Sequence, residues 1–311
     1  MLSLGVHLHA AGARLPAEAT SAALWCDFRA GLCFAQGQKK EFGELFAVSR
    51  ATQGWFEDKT AFAANTPRIG PRGLLIEHAR TNLVLNSFSP ANQSLTLAAG
   101  TYSVSAGAGG SVSIGGVTAT AGVPGKFTLA SGATLALTVG GSPDWAQVEA
   151  GPYPTSPIQT LGAPTTRNLE LVTALSTAWF NPTACTVIVE WEQTHDGSLD
   201  ATNRDLVRWQ QGAAFSRLRT GNVTYAQIAD NLGGLALNNG VSAATVTGVH
   251  SMTYTATPAS TSVTWSPSLD GSGGTRSSAV GPSSAAVGSF SFGHPTVDNA
   301  LNGWLRRIVV L

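Results

Sequence analysis

Apolar and small polar residues alternate with a period of two along residues 89–150, in runs such as TYSVSAG and GKFTLAS. Gly-containing breaks separate the runs. Successive side chains of a strand point to opposite faces, so this alternation predicts short antiparallel strands that bury one face. A flexible Gly-Ser linker is the alternative, but the regular apolar residues at alternate positions favour strands. We predict a small antiparallel β-sandwich here.

The same alternation returns in residues 168–311, in longer runs such as CTVIVEWEQ, VTYAQIAD and LNGWLRRIVVL. Gly, Asn and Asp residues typical of turns separate these runs. The pattern predicts a larger β-sandwich of the lectin-like, jelly-roll type. Residues 151–167 contain four prolines and no hydrophobic period, which is typical of a linker.

The N-terminal part is less regular. Residues 1–22 are rich in Ala and Leu, and we predict an N-terminal arm, either a short helix or an extended segment. Residues 23–88 mix aromatic and charged residues with frequent glycines, so short strands and loops fit better than one periodic helix. We interpret 23–88 as a mixed attachment or connector region. The predicted fold class is therefore all-β, with two sandwiches behind an irregular N-terminal region.

Composition supports this fold class and excludes two kinds of partner. Charged residues make up 12% of the chain, against about 25% in an average protein, and 35 glycines disfavour surface helices. The 18 basic and 18 acidic residues balance, and no basic patch with interleaved aromatics is present, so nucleic acid is not an expected partner. No run reaches the ~18 apolar residues of a membrane span. A net charge of zero favours a protein that assembles.

Three cysteines, Cys26, Cys33 and Cys185, are an odd number at wide spacing, which argues against a disulfide framework. Two alternatives remain open. Cys26 and Cys33 could pair, or all three could be small buried residues of a protein assembled in the cytosol.

Several sequence strings resemble phage virion proteins. AANTPRIGPRGLLIEHARTNLVLNS, residues 63–87, resembles the region that opens many phage tail-fibre and virion-spike proteins. DWAQVEAGPYPTSPIQTLGAPTTR, residues 144–167, resembles the segment that closes their small carbohydrate-binding-like sandwich. VIVEWEQ, TWSPSLDG and LNGWLRRIVVL resemble strands of a concanavalin- or laminin-G-like sandwich. The resemblance covers residues 27–311.

The resemblance implies a structural subunit of a fibre or spike on the virion surface, on the tail or the capsid, assembled in the host cytoplasm. It implies other virion proteins as partners, a homotrimer, and adsorption to a host-surface glycan. A glycan-binding capsid decoration module and a polysaccharide depolymerase are the alternatives.

A carboxylate pair for glycoside cleavage could come from six residues, Glu170, Glu190, Glu192, Asp196, Asp200 and Asp205. Glu190 and Glu192 lie two residues apart and would share one face of a strand, as an acid/base pair could. The pattern favours a solvated face of an antiparallel strand for these two, with Trp191 turned to the core. Serine-hydrolase and P-loop motifs are absent from the sequence. We therefore expect a non-enzymatic protein.

Binding candidates lie in the C-terminal region. Trp179 and Tyr225 lie near predicted loops and could stack on the apolar faces of sugars, whereas the other tryptophans there fit apolar strand patterns. Asp196, Ser198 and Asp200 alternate as the oxygen ligands of a Ca²⁺ loop can, although a plain polar loop has the same pattern. No other cofactor is expected.

The 63–87 string also contains candidate structural residues. Asn65, Pro67 and Arg68 form its N-x-P-R element. We interpret Glu77, Arg80 and Asn82, which follow in the same string, as a buried hydrogen-bonded group that sets the register of the domain.

Overall fold

A computed structural model describes residues 17–195, 204–211, 214–220, 225–232, 235–242, 247–259, 262–265, 268–269, 272–273, 276–278, 287–293 and 301–311. These residues form almost only β-structure, in several antiparallel sheets, so the predicted all-β fold class is confirmed. Within the same residues, no helix is both long and apolar enough to cross a membrane.

The described elements are two short helices and 30 strands. In chain order they are α1 (Ala17–Ser21), β1 (Leu24–Asp27), β2 (Leu32–Ala35), β3 (Gln38–Lys40), α2 (Phe42–Leu45), β4 (Phe46–Ser49), β5 (Gly54–Trp55), β6 (Ala61–Phe62), β7 (Ile69–Gly70), β8 (Gly73–Ile76), β9 (Arg80–Asn82), β10 (Gln93–Leu97), β11 (Gly100–Ala106), β12 (Gly110–Ile114), β13 (Val117–Thr120), β14 (Gly125–Leu129), β15 (Ala133–Gly141), β16 (Ala146–Ala150), β17 (Thr165–Arg167), β18 (Leu171–Ala174), β19 (Cys185–Gln193), β20 (Arg204–Gln211), β21 (Ala214–Thr220), β22 (Tyr225–Leu232), β23 (Leu235–Ser242), β24 (Gly248–Ala259), β25 (Ser262–Trp265), β26 (Ser268–Leu269), β27 (Ser272–Gly273), β28 (Arg276–Ser278), β29 (Ser289–Phe292) and β30 (Gly303–Val310).

The larger unit has two sheets. One has twelve strands, with β27-β26-β24-β19-β30-β1-β2-β3 as its main path, and the other has seven, in the order β23-β22-β21-β20-β29-β18-β4. Val187, Val189 and Trp191 alternate with partly exposed residues along β19 and enter the shared core. Trp209 of the seven-stranded sheet lies 5.6 Å, between ring centroids, from Tyr254 of the twelve-stranded sheet. The two sheets therefore pack as a sandwich.

Strands from the predicted connector region belong to this larger unit, which differs from the predicted division at residue 168. β1 pairs with β30 over its whole length, from Leu24 opposite Val310 to Asp27 opposite Arg307. β4 pairs with β18. The physical reason is that β1 is apolar on both faces, with Trp25 and Cys26 both buried, and such a strand is stable only inside a sheet covered on both sides.

The smaller unit comprises β10–β16. A four-stranded sheet, β10-β15-β12-β13, and a three-stranded sheet, β14-β11-β16, enclose a separate core. Tyr102 and Phe127 stack in it with ring centroids 5.5 Å apart. Hydroxyls pair across the exposed faces, as in Thr96 with Thr134 at 2.9 Å. The period-two pattern of this region thus corresponds to an apolar inner face and a hydroxyl-rich outer face.

Residues 151–167, predicted to be a linker, are largely packed. Thr155 and Ile158 are buried, and polar side chains of β16 bind their backbone. Gln147 accepts a hydrogen bond from the backbone N–H of Ile158 (2.7 Å), and Glu149 accepts one from that of Thr155 (2.7 Å). Proline has no backbone N–H, so this segment cannot form a regular strand ladder. The side chains of Gln147 and Glu149 instead accept hydrogen bonds from its remaining N–H groups. The segment is therefore part of the junction between the two sandwiches.

Cys26, Cys33 and Cys185 are buried free thiols. Cys26 lies directly opposite Cys33 in the β1–β2 register, so the two residues that could pair are neighbours. Burial raises the pKa of Cys26, and the neighbouring Cys33 raises it further.

Candidate functional site

A cluster of five buried charged side chains lies at the junction of the two sandwiches. Its members are Arg50, Arg68, Glu77, Arg167 and Glu170, and each is at most 4% exposed. All five sit immediately after a strand, immediately before one, or at its end, where the chain leaves one sheet for the next. Four of them adjoin strands of the larger unit, and Arg167 ends β17, which pairs with β9 in a separate two-stranded sheet.

Arg68 is the centre of this cluster. Its Nη2 donates to Oε2 of Glu77 at 2.6 Å, and its Nε donates to Oε1 of Glu170 at 2.8 Å. Nη2 also donates to the second oxygen of Glu170, which makes that pair bidentate. Arg50 donates to Glu170 as well, and Arg167 Nη1 lies 3.1 Å from Oε2 of Glu77. The two carboxylates are thus shared among three guanidinium groups.

Ser156 connects the cluster to the 151–167 segment. Its backbone N–H donates to Glu77 Oε1 at 2.7 Å, and its hydroxyl donates to Oε2 at 2.5 Å. Arg167 also donates to the Ser156 hydroxyl at 3.0 Å. Glu77, which follows β8 of the larger unit, is therefore held by the segment that packs on the smaller one.

The pKa values of the cluster follow from burial and pairing. Burial alone would raise the pKa of Glu77, but the charges of Arg167 and Arg68 and the hydrogen bonds from Ser156 outweigh it and lower this pKa to about 2. Burial lowers the pKa of Arg50 and of Arg167. Glu77 is therefore ionised at neutral pH, as a buried carboxylate is when cations and donors surround it.

The predicted structural residues occupy three different places. Arg68 and Glu77 lie in the buried cluster. Asn65 is exposed, with a φ of 57°, and its side-chain oxygen accepts a hydrogen bond from the backbone N–H of Arg50 at 2.9 Å. Pro67 is half-buried between Asn65 and Arg68. The N-x-P-R element thus forms a turn that carries Arg68 into the cluster and positions Arg50.

Asn82 and Arg80 lie apart from the cluster. The amide nitrogen of Asn82 donates to the carbonyls of Ala146 (3.2 Å) and Ile158 (2.8 Å), and its oxygen accepts from the N–H groups of Val84 and Val148. These four bonds join β9, β16 and the 151–167 segment. Arg80 instead lies over the ring of Tyr153, 5.5 Å from its centroid.

Arg50, Arg167 and Glu170 complete the cluster. Of these, the sequence indicates only Glu170, and as a possible catalytic carboxylate, not as part of a buried cluster. Arg167 ends the second string that carries the family resemblance, which was the available signal. Arg50 and Glu170 occur in no motif of the sequence. A buried cluster has to balance charge, and two carboxylates beside Arg68 indicate that further cations are needed.

A second polar group lies beside the cluster. Arg204 donates to the hydroxyl of Tyr153, and its Nη1 lies 3.3 Å from Nδ1 of His78. Tyr153 stacks on His195 with ring centroids 3.8 Å apart. Burial lowers the pKa of His78 well below its usual value, and the nearby Arg80 and Arg204 lower it further.

A cleft of about 690 Å³ opens between the two sandwiches, next to the charged cluster. Glu77, Thr155 and Ser156 line its inner end. Leu75 and Trp304 of the larger unit form one side, and the 105–108 and 120–124 backbone of the smaller unit forms the other.

Arg72, Glu192 and Arg306 form an ion-paired group on the side of the cleft that belongs to the larger unit. Arg72 donates from Nε and Nη2 to one oxygen of Glu192, at 3.1 and 2.7 Å. Its guanidinium carbon lies 5.0 Å from the centroid of the Trp304 ring, and Phe56 lies 5.3 Å from the same ring. Arg306 donates to the other oxygen of Glu192 at 3.2 Å. Charge and aromatic surface are thus adjacent in the cleft.

On the opposite side of the cleft, Trp145 and Asp144 each have a polar partner. Trp145 Nε1 donates to the carbonyl of Glu57 at 3.0 Å, and Lys59 lies 3.4 Å from Asp144. Ser105 is 7% exposed, and within the described residues its hydroxyl has no hydrogen-bond partner.

The other sequence candidates lie away from this cleft or outside the described residues. Trp179 is half-buried and packs on Phe180 and Phe290, at ring distances of 5.8 and 5.1 Å. Tyr225 is the first residue of β22, and its side chain is outside the described part. The Ca²⁺ candidates Asp196, Ser198 and Asp200 are likewise outside it. The described residues contain no group of three or more His, Cys, Asp or Glu side chains that could hold a metal.

Glu190 and Glu192 share one face of β19, and arginines surround both. Glu190 pairs with Arg29 at 3.2 Å and with Arg306 at 3.1 Å. Trp304, which the apolar strand pattern predicts to be in the core, lies in β30 and also at the wall of the cleft. Neither a search of protein-family models nor one of curated proteins gave a match.

Proposed function

We propose that this chain is a non-enzymatic structural subunit of a phage virion fibre or spike, which acts in host adsorption by contacting a surface glycan. The proposal includes the homotrimeric state, the contact with other virion proteins and assembly in the host cytoplasm that the family resemblance implies. The observation that carries it is the buried charged cluster. The 63–87 string, which carries the resemblance, supplies Arg68 and Glu77 to that cluster.

The buried charged cluster favours a rigid subunit, as a fibre or spike on the virion surface requires. Moving one sandwich against the other would separate Glu77 from Ser156 and Arg167, and would leave charges buried without partners. Removing one partner from a buried ion pair costs roughly 3–5 kcal/mol. The two sandwiches are therefore expected to move as one body. A fibre or spike subunit needs this property, since it must present a binding surface at a defined position.

The carboxylates that could serve a glycosidase favour a binding role instead. Such an enzyme needs one carboxyl group that donates a proton and a second that acts as base or nucleophile. Glu190 pairs with three arginines and Glu192 with two, and Asp144 pairs with Lys59. These three carboxylates are therefore engaged in ion pairs with basic side chains.

The test combines oligomeric state with location. Light scattering coupled to size exclusion should give a mass of three chains, and antibodies raised against the protein should label the surface of intact virions. Purified protein added in excess should reduce adsorption of the phage to its host. A monomer at micromolar concentration together with unlabelled virions would exclude the fibre or spike role.

The cleft supports a second candidate, a glycan-binding decoration module on the capsid. A monomer that labels capsids and competes for adsorption would favour this alternative. Release of reducing ends from host polysaccharide by the purified protein would instead show a depolymerase.

A further inference from the structure

We infer that the cleft between the two sandwiches is the glycan site and that it takes a neutral oligosaccharide, bound through its hydroxyl groups. The inference rests on the proposed function in one respect, that the ligand is a glycan. It adds the location of the site and the charge class of the sugar. A volume of about 690 Å³ lies within the 300–1,000 Å³ typical of ligand pockets.

The cleft combines apolar surface with hydrogen-bond acceptors, which is what sugar recognition requires. Leu75, Phe56 and the accessible edge of Trp304 offer apolar contact to the C–H faces of a pyranose ring. Trp304 is only 8% exposed and is packed against Phe56, so its position in the cleft is held before any ligand arrives. A preformed wall reduces the entropy lost on binding.

The acceptors in the cleft are carboxylates. Glu57, Asp58, Asp144 and Glu192 line it, and ionised carboxylates accept strong, charge-assisted hydrogen bonds from hydroxyl groups. A neutral sugar presents many hydroxyl donors and no charge that must be neutralised. This lining and a neutral glycan are therefore complementary.

Within the described part of the chain, the cleft offers an acidic sugar no comparable partner. Arg72 is the only basic residue among the described residues that line the cleft, and both of its described hydrogen bonds go to Glu192. The other nearby cations, Lys59 and Arg306, pair with Asp144 and Glu192. A uronic or sialic acid would have to compete with these carboxylates and would approach the exposed Glu57 and Asp58. Like-charge contacts of this kind select against a ligand.

The test uses an array of neutral and acidic bacterial envelope glycans, probed with the full-length wild-type protein and three variants. Ala108→Trp narrows the cleft at an exposed lining position, and Glu192→Gln removes the negative charge that pairs with Arg72 and Arg306. Ala130→Trp is the matched control, because it places the same side chain at an exposed position that does not line the cleft. Circular dichroism and thermal melting verify that each variant is folded.

We expect the wild-type protein to bind neutral glycans at least tenfold more strongly than acidic ones. Ala108→Trp should reduce this binding at least tenfold and Glu192→Gln severalfold, while Ala130→Trp leaves it unchanged. Binding that survives Ala108→Trp would overturn the assignment of the cleft and leave the proposed glycan adsorption in place. A preference for acidic glycans would overturn the charge class. A wild-type protein that binds no glycan would overturn both the cleft assignment and the proposed adsorption, and the virion labelling would still decide the structural role.

Discussion

Arg68 shows how single residues hold this protein together. Its guanidinium faces Glu77, Glu170 and the hydroxyl of Ser156, and it has no exposed surface. Glu77, Glu170 and Ser156 lie 9, 102 and 88 residues from Arg68 in the sequence. Such a group is stable only if every charge keeps its partner, because an unpaired ion in a dry environment has lost its hydration without compensation.

We expect Glu77→Gln to lower the free energy of unfolding by about 3–5 kcal/mol, because Arg167 loses its nearest carboxylate and Arg68 loses one of two. Urea unfolding followed by tryptophan fluorescence measures the change. Glu44→Gln is the control, since Glu44 is exposed and pairs with Lys40 in solvent, so its variant should match the wild type. A surface ion pair contributes less than about 1 kcal/mol. A loss of that size for Glu77→Gln would contradict the proposed contribution of the cluster to the free energy of unfolding.

Acid should destabilise the protein in two stages. His78 has a lowered pKa, so below its usual value of 6.5 the unfolded chain takes up a proton more readily and stability falls. Glu77 has a pKa of about 2 against an ordinary 4.5, so its stabilisation is complete above pH 4.5 and is lost between 4.5 and 2. Burial raises the pKa of Glu149, so protonation of this carboxyl adds stability as the pH falls from that raised pKa to 4.5 and offsets part of the loss at His78, not the loss at Glu77.

Urea midpoints measured between pH 8 and pH 3 test this pH dependence. The midpoint should fall from pH 6.5 downward and fall more steeply below 4.5. A His78→Gln variant should show a flatter curve between pH 6.5 and 5 while keeping the steep part. A wild-type midpoint that is constant from pH 6.5 to pH 4.5 would rule out the His78 assignment, and one that is constant from pH 4.5 to pH 3 would rule out the Glu77 assignment.

At the scale of elements, β8 connects the sheet to the charged cluster. All four of its residues are buried, it pairs with β7 and β30, and Glu77 follows it directly. Its first residue, Gly73, has a φ of 126°, and a Cβ there would lie 2.3 Å from the carbonyl oxygen of Leu305. Only glycine fits this close approach of two backbones.

Gly73→Ala should therefore separate β8 from β30 locally and lower the free energy of unfolding by at least 1–3 kcal/mol, the usual size of such backbone strain. Thermal melting measures the loss. Gly43→Ala in α2 is the matched control, because a Cβ at Gly43 meets no atom within 4 Å and alanine favours a helix. Equal melting temperatures for the two variants would contradict the crowding at Gly73.

At the scale of the whole molecule, the two hydrophobic cores are separate, and they are joined through the 151–167 segment and the charged cluster. Side-chain bonds from Gln147 and Glu149 tie that segment to the smaller unit. Ser156 and Arg167 tie it to Glu77 beside the larger one. Each core could fold by itself, so the junction decides whether they unfold together.

We expect the wild-type protein to unfold in one transition, with equal calorimetric and van't Hoff enthalpies. Arg167→Ala should weaken the junction and make the van't Hoff enthalpy smaller than the calorimetric one. Lys126→Ala, on the exposed face of the smaller unit, should leave the ratio unchanged. Two transitions in the wild-type protein would show that the sandwiches are not coupled.

The sequence alone predicts the all-β class, because the alternation of apolar and polar residues is a local property of each strand. It also indicates Arg68, Glu77 and Asn82 as residues with a structural role, through the string in which they occur. It indicates Glu170 only as a possible catalytic carboxylate, and it gives no signal for Arg50 or the cleft. The prolines of 151–167 suggested a linker because their backbone partners, the side chains of β16, are not neighbours in sequence.

Only the tertiary structure decided which strands pair and which charges meet. β1 pairs with β30, nearly the full length of the chain away, and the five charged residues of the cluster span positions 50–170. The hydrogen-bonding groups of every strand backbone are the same, so local pattern cannot select a partner strand. That selection depends on which arrangement buries the most apolar surface while leaving each buried charge paired, and this is a property of the whole packed chain.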